Sequence, residues 1–299
     1  MTNLVRAELQ RAMSRRLVRV FVLLSVCAAA LTGVVAFART ASADNAAITA
    51  QVRHYKAAED TARKKLLGCL NTQEQTGVDQ HCVDVRPRAV HDPRFGRERV
   101  KGILTGTSGI AALIAWVLGA SLIGAEMQSR SITTTLTFAP SRWRVFAAKM
   151  VAALVVVAGW AAVTLGLLLV AMLPAAILHG TPYLTPSNLT IAGTIGRGIA
   201  LASIAGMMGF ALAYIGRNTA VALGVAFGYI IVIENILGSS IAGWRRWLLL
   251  GNVIVFMAGS GDNVDVAGRS VAGAAIFLVA VAATLLVAGA TAFRVRDVA

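Results

Sequence analysis

Charged residues are scarce in this chain of 299 residues: Asp, Glu, Lys and Arg make up 14% of it, whereas hydrophobic residues make up 57%. A soluble domain of this length does not need so much apolar surface. The apolar residues fall in runs close to the roughly 20 residues with which a helix crosses a bilayer, and the charges lie between those runs. The composition therefore excludes an ordinary soluble domain and predicts an all-α, polytopic membrane protein.

Residue types that commonly carry catalysis are missing from the apolar runs. No run that we predict to span the membrane contains His, Asp or a pair of carboxylates at helical spacing, and the chain has no GxSxG motif. The phosphate-binding motif GxxxxGK[ST] is also absent from the sequence. We therefore expect a protein that is not an enzyme and binds no cofactor directly, so that any nucleotide energy comes from a separate subunit.

The sequence contains only three cysteines. Cys27 lies in the first apolar run, where we expect it to pack against other helices. Cys69 and Cys82 share a long polar segment, and a disulfide between them is the natural expectation if that segment faces an oxidising compartment. A metal site built from Cys69, Cys82, His81 and His91 is the competing interpretation. Their spacing fits no compact ligand pair, so we expect no bound metal.

Six apolar runs are predicted to cross the membrane. We interpret the first as a retained span, because its apolar stretch of about 18 residues exceeds the core of a signal peptide. Residues 39–102 form a long polar loop, with a helical part predicted from Asn45 to Leu70. The apolar stretch Leu248–Ala258 is too short to cross and is predicted to be a re-entrant or surface helix. The predicted spans cover about 17–38, 103–125, 146–172, 191–214, 219–237 and 271–293.

The distribution of cations predicts the orientation. Six spans place both termini on one side, and twelve Lys and Arg residues lie in the segments on that side, against four in the short loops on the other. The loop of 64 residues is too long to count in this rule. We therefore predict cytoplasmic termini and an extracytoplasmic loop 39–102. The net charge of +14 then reflects membrane-flanking cations, and we expect no nucleic-acid partner.

The first 17 residues show the pattern of an amphipathic helix. Such a helix can lie in the membrane interface with its cations toward anionic headgroups. An ordinary charged flank that sets the topology explains the pattern equally well. The apolar positions are Val5, Leu9, Ala12 or Met13, and Leu17, and the polar positions are Arg6, Gln10, Arg11 and Arg15.

Few polar or aromatic groups stand within the predicted spans. Glu234 is the only carboxylate well inside one, and an intramembrane charge needs a partner. We predict that Arg197 pairs with Glu234 and holds the outer gate or the fold; proton coupling through Glu234 is the alternative. Trp116 and Trp160 lie at mid-span. Either they line a cavity for an apolar substrate, or they pack against neighbouring helices. Elsewhere in the spans, small residues at four-residue spacing, such as Ala115 and Gly119, allow close helix packing.

The most specific pattern is the polar segment between the second and third spans, within LIGAEMQSRSITTTLTFAPSRWRVFAAK at 122–149. A tight hairpin between two spans places its polar groups within reach of a soluble partner. The turn at Arg217 adds a second short segment on the same predicted side. Candidate docking residues in the hairpin, which follows Glu126, are Arg130, Thr133, Thr134, Pro140, Arg142 and Arg144.

This segment resembles the cytoplasmic loop of ABC transporter permeases of the type-2 exporter class. In that family a Glu at the end of the second span precedes a Gly-Thr-Leu-like turn and a Pro-x-Arg segment, and a Lys opens the third span. The turn Arg217–Ala220 is similar to the family's second cytoplasmic contact, and 293–297 is similar to its usual ending. Ser131 stands where the family more often has Gly, and loop 39–102 is longer than in simple members.

The resemblance implies the membrane subunit of an ATP-driven exporter in a bacterial plasma membrane. Two permease subunits, identical or different, would pair with two ABC ATPase subunits that bind ATP and Mg. By this resemblance, Glu126 and Arg217 join the candidate docking residues, and together they would couple ATPase closure to the spans. Glu126 would pair with Arg130, and Arg142 or Arg144 would meet acidic groups of the ATPase. The apolar spans suggest an amphipathic or hydrophobic substrate.

Two other functions are compatible with the residues alone. An ion-coupled secondary transporter often contains an internal repeat with discontinuous helices, and no clear repeat relates residues 1–150 to 151–299. A membrane-anchored sensor or assembly protein would act through loop 39–102. An ATPase encoded beside this chain would favour the exporter.

Overall fold

The computed structural model describes residues 2–40, 46–76, 95–128, 141–180, 187–237, 247–259 and 269–295. These ranges are helical apart from short turns, and their β-type pairing is limited to an isolated bridge between Phe95 and Gly180. The predicted all-α, polytopic fold is confirmed.

The helices follow one another along the chain with short connections between most of the spans. A π-helical segment, Tyr229–Leu237, directly continues helix α7. The α-helices of the described ranges are α1 Thr2–Ser14, α2 Arg16–Ala38, α3 Ala46–Thr76, α4 Arg97–Gln128, α5 Arg142–Leu178, α6 Asn188–Gly216, α7 Thr219–Gly228, α8 Leu249–Ala258 and α9 Val271–Val295.

Five helices of the described part, α2, α4, α5, α6 and α9, are long and apolar enough to cross a membrane. They coincide with five of the six predicted spans. The remaining one, 219–237, consists of the 10 residues of α7 and the 9 residues of the π-helical segment. Helix α8 has 10 residues, which agrees with a helix too short to cross.

Helices α4 and α6 pack against each other more extensively than any other pair of described helices. Their backbones come so close that a Cβ atom on Gly119 would overlap the carbonyl of Gly206, and one on Gly209 would overlap the carbonyl of Trp116. Small residues permit this approach because helices in lipid associate mainly through close packing. The pair forms the centre of the bundle, against which α5, α7 and α9 pack.

An aromatic cluster joins α5, α6 and α9 near the start of α5. Tyr214 lies at its centre, with ring centroids 4.9 Å from Phe146, 5.1 Å from Phe210 and 5.1 Å from Phe293. All four side chains are buried. Tilted and edge-on pairs of this kind add to the stabilisation from burial, so the cluster fixes the first turns of α5 against two other helices.

The opposite end of α5 is joined to α2 and to the residues before α4. The His179 ring stacks on Phe37 at 4.5 Å, and its Nδ1 lies 3.0 Å from Thr40 Oγ1. The backbone carbonyl of His179 accepts a hydrogen bond from Phe95 N at 2.7 Å.

Helix α3 lies in the predicted loop and extends past its predicted end at Leu70 to Thr76.

Candidate functional site

A network of four charged side chains joins α1, α4 and α5 at the end of α4; we call Glu8, Arg15, Glu126 and Lys149 the charge network. Lys149 Nζ donates to Glu126 Oε2 at 2.6 Å and to Glu8 Oε2 at 2.8 Å. Arg15 forms a salt bridge with the other carboxylate oxygen of Glu126. Two anions and two cations therefore meet within one cluster, and the exposed Arg11 lies 3.6 Å from the other oxygen of Glu8.

Three members of the charge network are buried, and the fourth, Arg15, has a side chain that is 21% exposed. Lys149 is 3% exposed, Glu126 6% and Glu8 7%. Removing charges from water costs several kcal/mol for each ion, and this cost is offset only when every charge is paired and hydrogen-bonded. The four side chains therefore depend on one another, and the three helices are held in one arrangement around them.

The local sequence explains how α1 supplies an anion and a cation to one point. Glu8 and Arg15 are seven residues apart, which places them on the same side of the chain over two helical turns. The small side chain of Ala12, 8% exposed, lies between them on the buried face. Arg15 connects α1 to α2 in an extended conformation and also donates to the carbonyl of Ser121 at 3.2 Å. Sequence analysis placed Arg15 on the polar face of an interface helix, whereas the structure turns it toward α4.

The turn at Arg217 lies against the same end of α4. Arg217 has a left-handed backbone, with φ of 52°. Asn218 caps α7 by accepting from Ala220 N at 2.8 Å, and the same oxygen accepts from Gln128 Nε2 at 2.9 Å. Gly124 packs so closely on Thr219 that a Cβ atom added to Gly124 would overlap the backbone of Thr219. The structure thus brings together the ends of both segments predicted to dock a partner.

Arg142 was predicted to contact the ATPase, but in the structure its side chain contacts the end of α9. Its Nη1 donates to the carbonyls of Arg294 at 3.2 Å and Phe293 at 3.4 Å. These carbonyls belong to the last turn of α9, where the helix dipole favours a cation. Arg144, two residues further along α5, is exposed. Of these two cations, Arg144 is the one that presents its side chain to the surroundings.

Several predicted site residues lie outside the described ranges: Arg130, Thr133, Thr134, Pro140, Cys82, His81 and His91. The predicted Glu126–Arg130 pair stays a prediction for this reason, although the structure adds Arg15 and Lys149 as partners of Glu126. Cys69 is disulfide-bonded. Its pairing with Cys82 also stays a prediction. Among the described residues no cluster of His, Cys, Asp or Glu could hold a metal ion.

The structure does not bring Arg197 and Glu234 together, and no salt bridge joins these two described residues. Glu234 Oε1 instead accepts a hydrogen bond from Leu250 N at 2.9 Å, at the first turn of α8. The neighbouring Tyr229 hydroxyl accepts from Leu249 N at 3.2 Å. The predicted ion pair is replaced because the free N–H groups of a helix start can also accommodate a carboxylate. Arg197 donates to Thr194 Oγ1 at 3.4 Å on its own helix.

The two mid-span tryptophans differ in their surroundings. Trp116 lines a cavity of about 610 Å³ between α4, α6, α7, the π-helical segment, α8 and α9. Its Nε1 donates to the carbonyl of Ala222 at 3.3 Å. Trp160 is 4% exposed, packs edge-on against Phe21 at 6.4 Å, and does not line this cavity. Only Trp116 therefore has the position expected of a cavity residue.

Glu8, Arg15 and Lys149 belong to the site but were not among the residues predicted for it. A usable signal exists for Glu8, because it and Glu126 are the only acidic residues in the first 17 residues and in the segment between the second and third predicted spans. An acid in such basic surroundings indicates an internal partner. Arg15 carries no comparable signal, because it is one of several arginines near the first span.

These features define a class: a multi-pass helical membrane protein whose N-terminal helix is joined through buried charges to two spans. A family model described as "ABC-2 family transporter protein" matches residues 2–254, and the chain belongs to this family. It is accordingly an ABC transporter membrane permease. The matched range includes the whole charge network, the Arg217 turn and the cavity residues up to Val253. A search of curated proteins gives no match.

Proposed function

We propose that this permease is the membrane subunit of an ATP-driven exporter in a bacterial plasma membrane, with both termini in the cytoplasm. Two copies, or this chain and a different permease subunit, would pair with ABC ATPase subunits that bind ATP and Mg. The residues between α4 and α5, together with the Arg217 turn, would form the surface on which the ATPase acts. Family membership favours this function over a secondary transporter or a loop-based sensor.

The observation that carries the proposal is the set of contacts around the end of α4. Glu126 and Lys149 stand on the two sides of the 129–141 segment and bind each other. Gln128 binds Asn218, so that the turn between α6 and α7 follows the end of α4. A displacement of the 129–141 segment would therefore be passed to α4, α5 and α7 at once, and through Glu8 and Arg15 to α1.

The contacts of Arg142 extend this path to the last helix. Since Arg142 binds the final carbonyls of α9, a shift at the start of α5 would also displace the end of α9. A rigid start of α5 serves this purpose, and the aromatic cluster of Phe146 and Tyr214 supplies the rigidity. We infer that Arg142 positions α9, while Arg144, with Arg130, Thr133, Thr134 and Pro140, contacts the ATPase.

Charge complementarity supplies the test. The exposed guanidinium of Arg144 would meet acidic groups of the ATPase, and reversal of its charge would place like charges against each other. Co-purification of the tagged permease with the ATPase encoded beside it should succeed for the natural sequence. Arg144→Glu should lower the amount of bound ATPase by about tenfold or more, in line with the several kcal/mol cost of like-charge contacts.

Arg63→Glu is the matched control, since Arg63 is exposed on α3 in the predicted extracytoplasmic loop. It should leave ATPase binding unchanged. Normal binding by the Arg144→Glu protein would show that the docking surface lies elsewhere. A natural sequence that binds no ATPase would remove the exporter proposal itself.

A further inference from the structure

The cavity of about 610 Å³ has the size of a small-molecule site and lies within a single protomer. It extends from Trp116, near the middle of α4, to the start of α8, on the side of the bundle away from the charge network. Five α-helices and the π-helical segment contribute to its wall. A ligand bound there would need no second copy of the chain.

The lining of the cavity is apolar except at one position. Aliphatic side chains and glycines cover most of the wall, and Glu234 is the only charged residue among the described residues that line it. Trp116 and Tyr229 contribute the two aromatic rings. The polar atoms of both rings are occupied, because Trp116 Nε1 donates to Ala222 and the Tyr229 hydroxyl accepts from Leu249. These residues therefore offer ring surfaces, which attract cations as well as apolar groups.

Among the described residues, the charge of Glu234 is only partly balanced. Its carboxylate accepts hydrogen bonds from a backbone N–H group at the start of α8 and from the Tyr229 hydroxyl, both of which are neutral donors. A helix N-terminus is equivalent to roughly half a positive charge, which leaves a negative excess beside the apolar wall. No Lys, Arg or His among the described residues lies within 4 Å of its carboxylate, and the guanidinium of Arg197 is directed to Thr194 and Gly259 instead.

The backbone of the wall is unusual at the same place. Tyr229 and Glu234 both belong to the π-helical segment Tyr229–Leu237, a form that proteins use sparingly and often at functional sites. The segment directs both residues to the cavity and to the start of α8. An intramembrane carboxylate, two ring surfaces and a large apolar volume thus meet at one point.

We propose that this cavity binds a hydrophobic cation. The apolar body of the ligand would fill the space beside Trp116 and Tyr229, and its positive charge would lie toward Glu234, where it completes the balance of that carboxylate. If the exporter proposal holds, such cations are the substrate class; the binding itself does not depend on an ATPase.

Two probes of nearly equal size and shape test this directly. Tetraphenylphosphonium is a hydrophobic cation and tetraphenylborate is the corresponding anion. The full-length permease is placed in lipid nanodiscs, and binding of radiolabelled tetraphenylphosphonium is measured by scintillation proximity, with empty nanodiscs to subtract partition into lipid. We expect saturable binding of one cation per chain that tetraphenylborate does not displace.

Glu234→Gln is the informative variant, because its amide oxygen can still accept from Leu250 N and preserve the start of α8. We expect it to weaken binding of the cation by about tenfold or more, as loss of a buried ionic partner usually does. Ala226→Trp, which places an indole ring in the cavity, should also weaken binding strongly. The controls are Glu98→Gln at an exposed carboxylate and Val287→Trp on an exposed face of α9, and neither should change binding.

Unchanged binding in folded Glu234→Gln protein, equal displacement by tetraphenylborate, or no saturable binding by the natural sequence would each overturn the proposal. Thermal unfolding of every variant shows whether it has folded. Association with the ATPase is measured on the same preparations. Cation binding without ATPase association would remove the exporter proposal and leave the site, whereas the reverse result would remove the site alone.

Discussion

Lys149 and Glu126 lie on opposite sides of the segment that joins α4 to α5, and their side chains meet at 2.6 Å between Nζ and Oε2. Both are buried, and a second carboxylate, Glu8, binds the same ammonium group at 2.8 Å. The N-terminal helix is therefore part of the junction that the proposed ATPase would move.

Replacing Lys149 with Met should destabilise the protein strongly. The change removes the cation that both buried carboxylates share, whereas Glu126 keeps Arg15 and Glu8 keeps the exposed Arg11 at 3.6 Å. Breaking a buried ion pair by removing one partner typically costs about 3–5 kcal/mol. Chemical unfolding in detergent measures this cost. Arg144→Met on the same helix is the control and should change stability by less than about 0.5 kcal/mol, because Arg144 is exposed. Equal effects of the two changes would contradict a buried network.

The charges of the network should also act as a unit. Glu8→Gln in the Lys149→Met background removes one of the two carboxylates that the first change left without their shared cation. The double variant should therefore lose less stability than the sum of the two single changes, by about 0.5–3 kcal/mol. A double-mutant cycle in the same unfolding assay measures the difference. Additive losses would mean that Glu8 and Lys149 do not interact.

Asn218→Ala should separate helix capping from coupling. The change removes the cap of α7 and the contact with Gln128, whereas Ser187→Ala removes only the comparable cap of α6. Each should cost about 1 kcal/mol of stability. In complexes with the ATPase, however, only Asn218→Ala should lower the ATP hydrolysis that depends on the permease. Equal hydrolysis by both variants would show that the contact with Gln128 does not transmit motion.

Gly124→Ala should disturb the contact between α4 and the Arg217 turn. The new methyl group would overlap the backbone of Thr219, and overpacking of this kind costs about 1–3 kcal/mol. Gly224→Ala on α7 is the matched control, because nothing lies within 4 Å of its Cβ position. That change should be neutral or stabilising, by up to about 1 kcal/mol, since Ala favours a helix over Gly. Thermal unfolding distinguishes the two, and a neutral Gly124→Ala would contradict the close approach.

The sequence alone predicted the fold well because membrane spans carry a strong local signal. Five of the six predicted apolar runs coincide with the long apolar helices of the described part, and Leu248–Ala258 was predicted to be too short to cross. The same signal could not show that Tyr229–Leu237 is π-helical. Its apolar pattern is that of any span, so periodicity alone does not distinguish the two helical forms.

The candidate site was predicted less completely, because its partners come from distant parts of the chain. Glu126 was identified at the end of the second span, but the sequence offered only the nearby Arg130 as a cation. The partners in the structure, Arg15 and Lys149, are 111 and 23 positions away. Glu234 shows the same limit, since it was paired with the one available cation, Arg197, whereas the structure gives it a backbone donor.

An ATPase can act on the segment between α4 and α5 only if that segment faces the cytoplasm. Arg144→Cys in a Cys27→Ser background tests this orientation, with a membrane-impermeant maleimide added to intact cells and to lysed cells. We predict that Cys at position 144 is labelled only after lysis and that a bound ATPase blocks the labelling. Labelling in intact cells would place the charge network on the outer face and contradict the account.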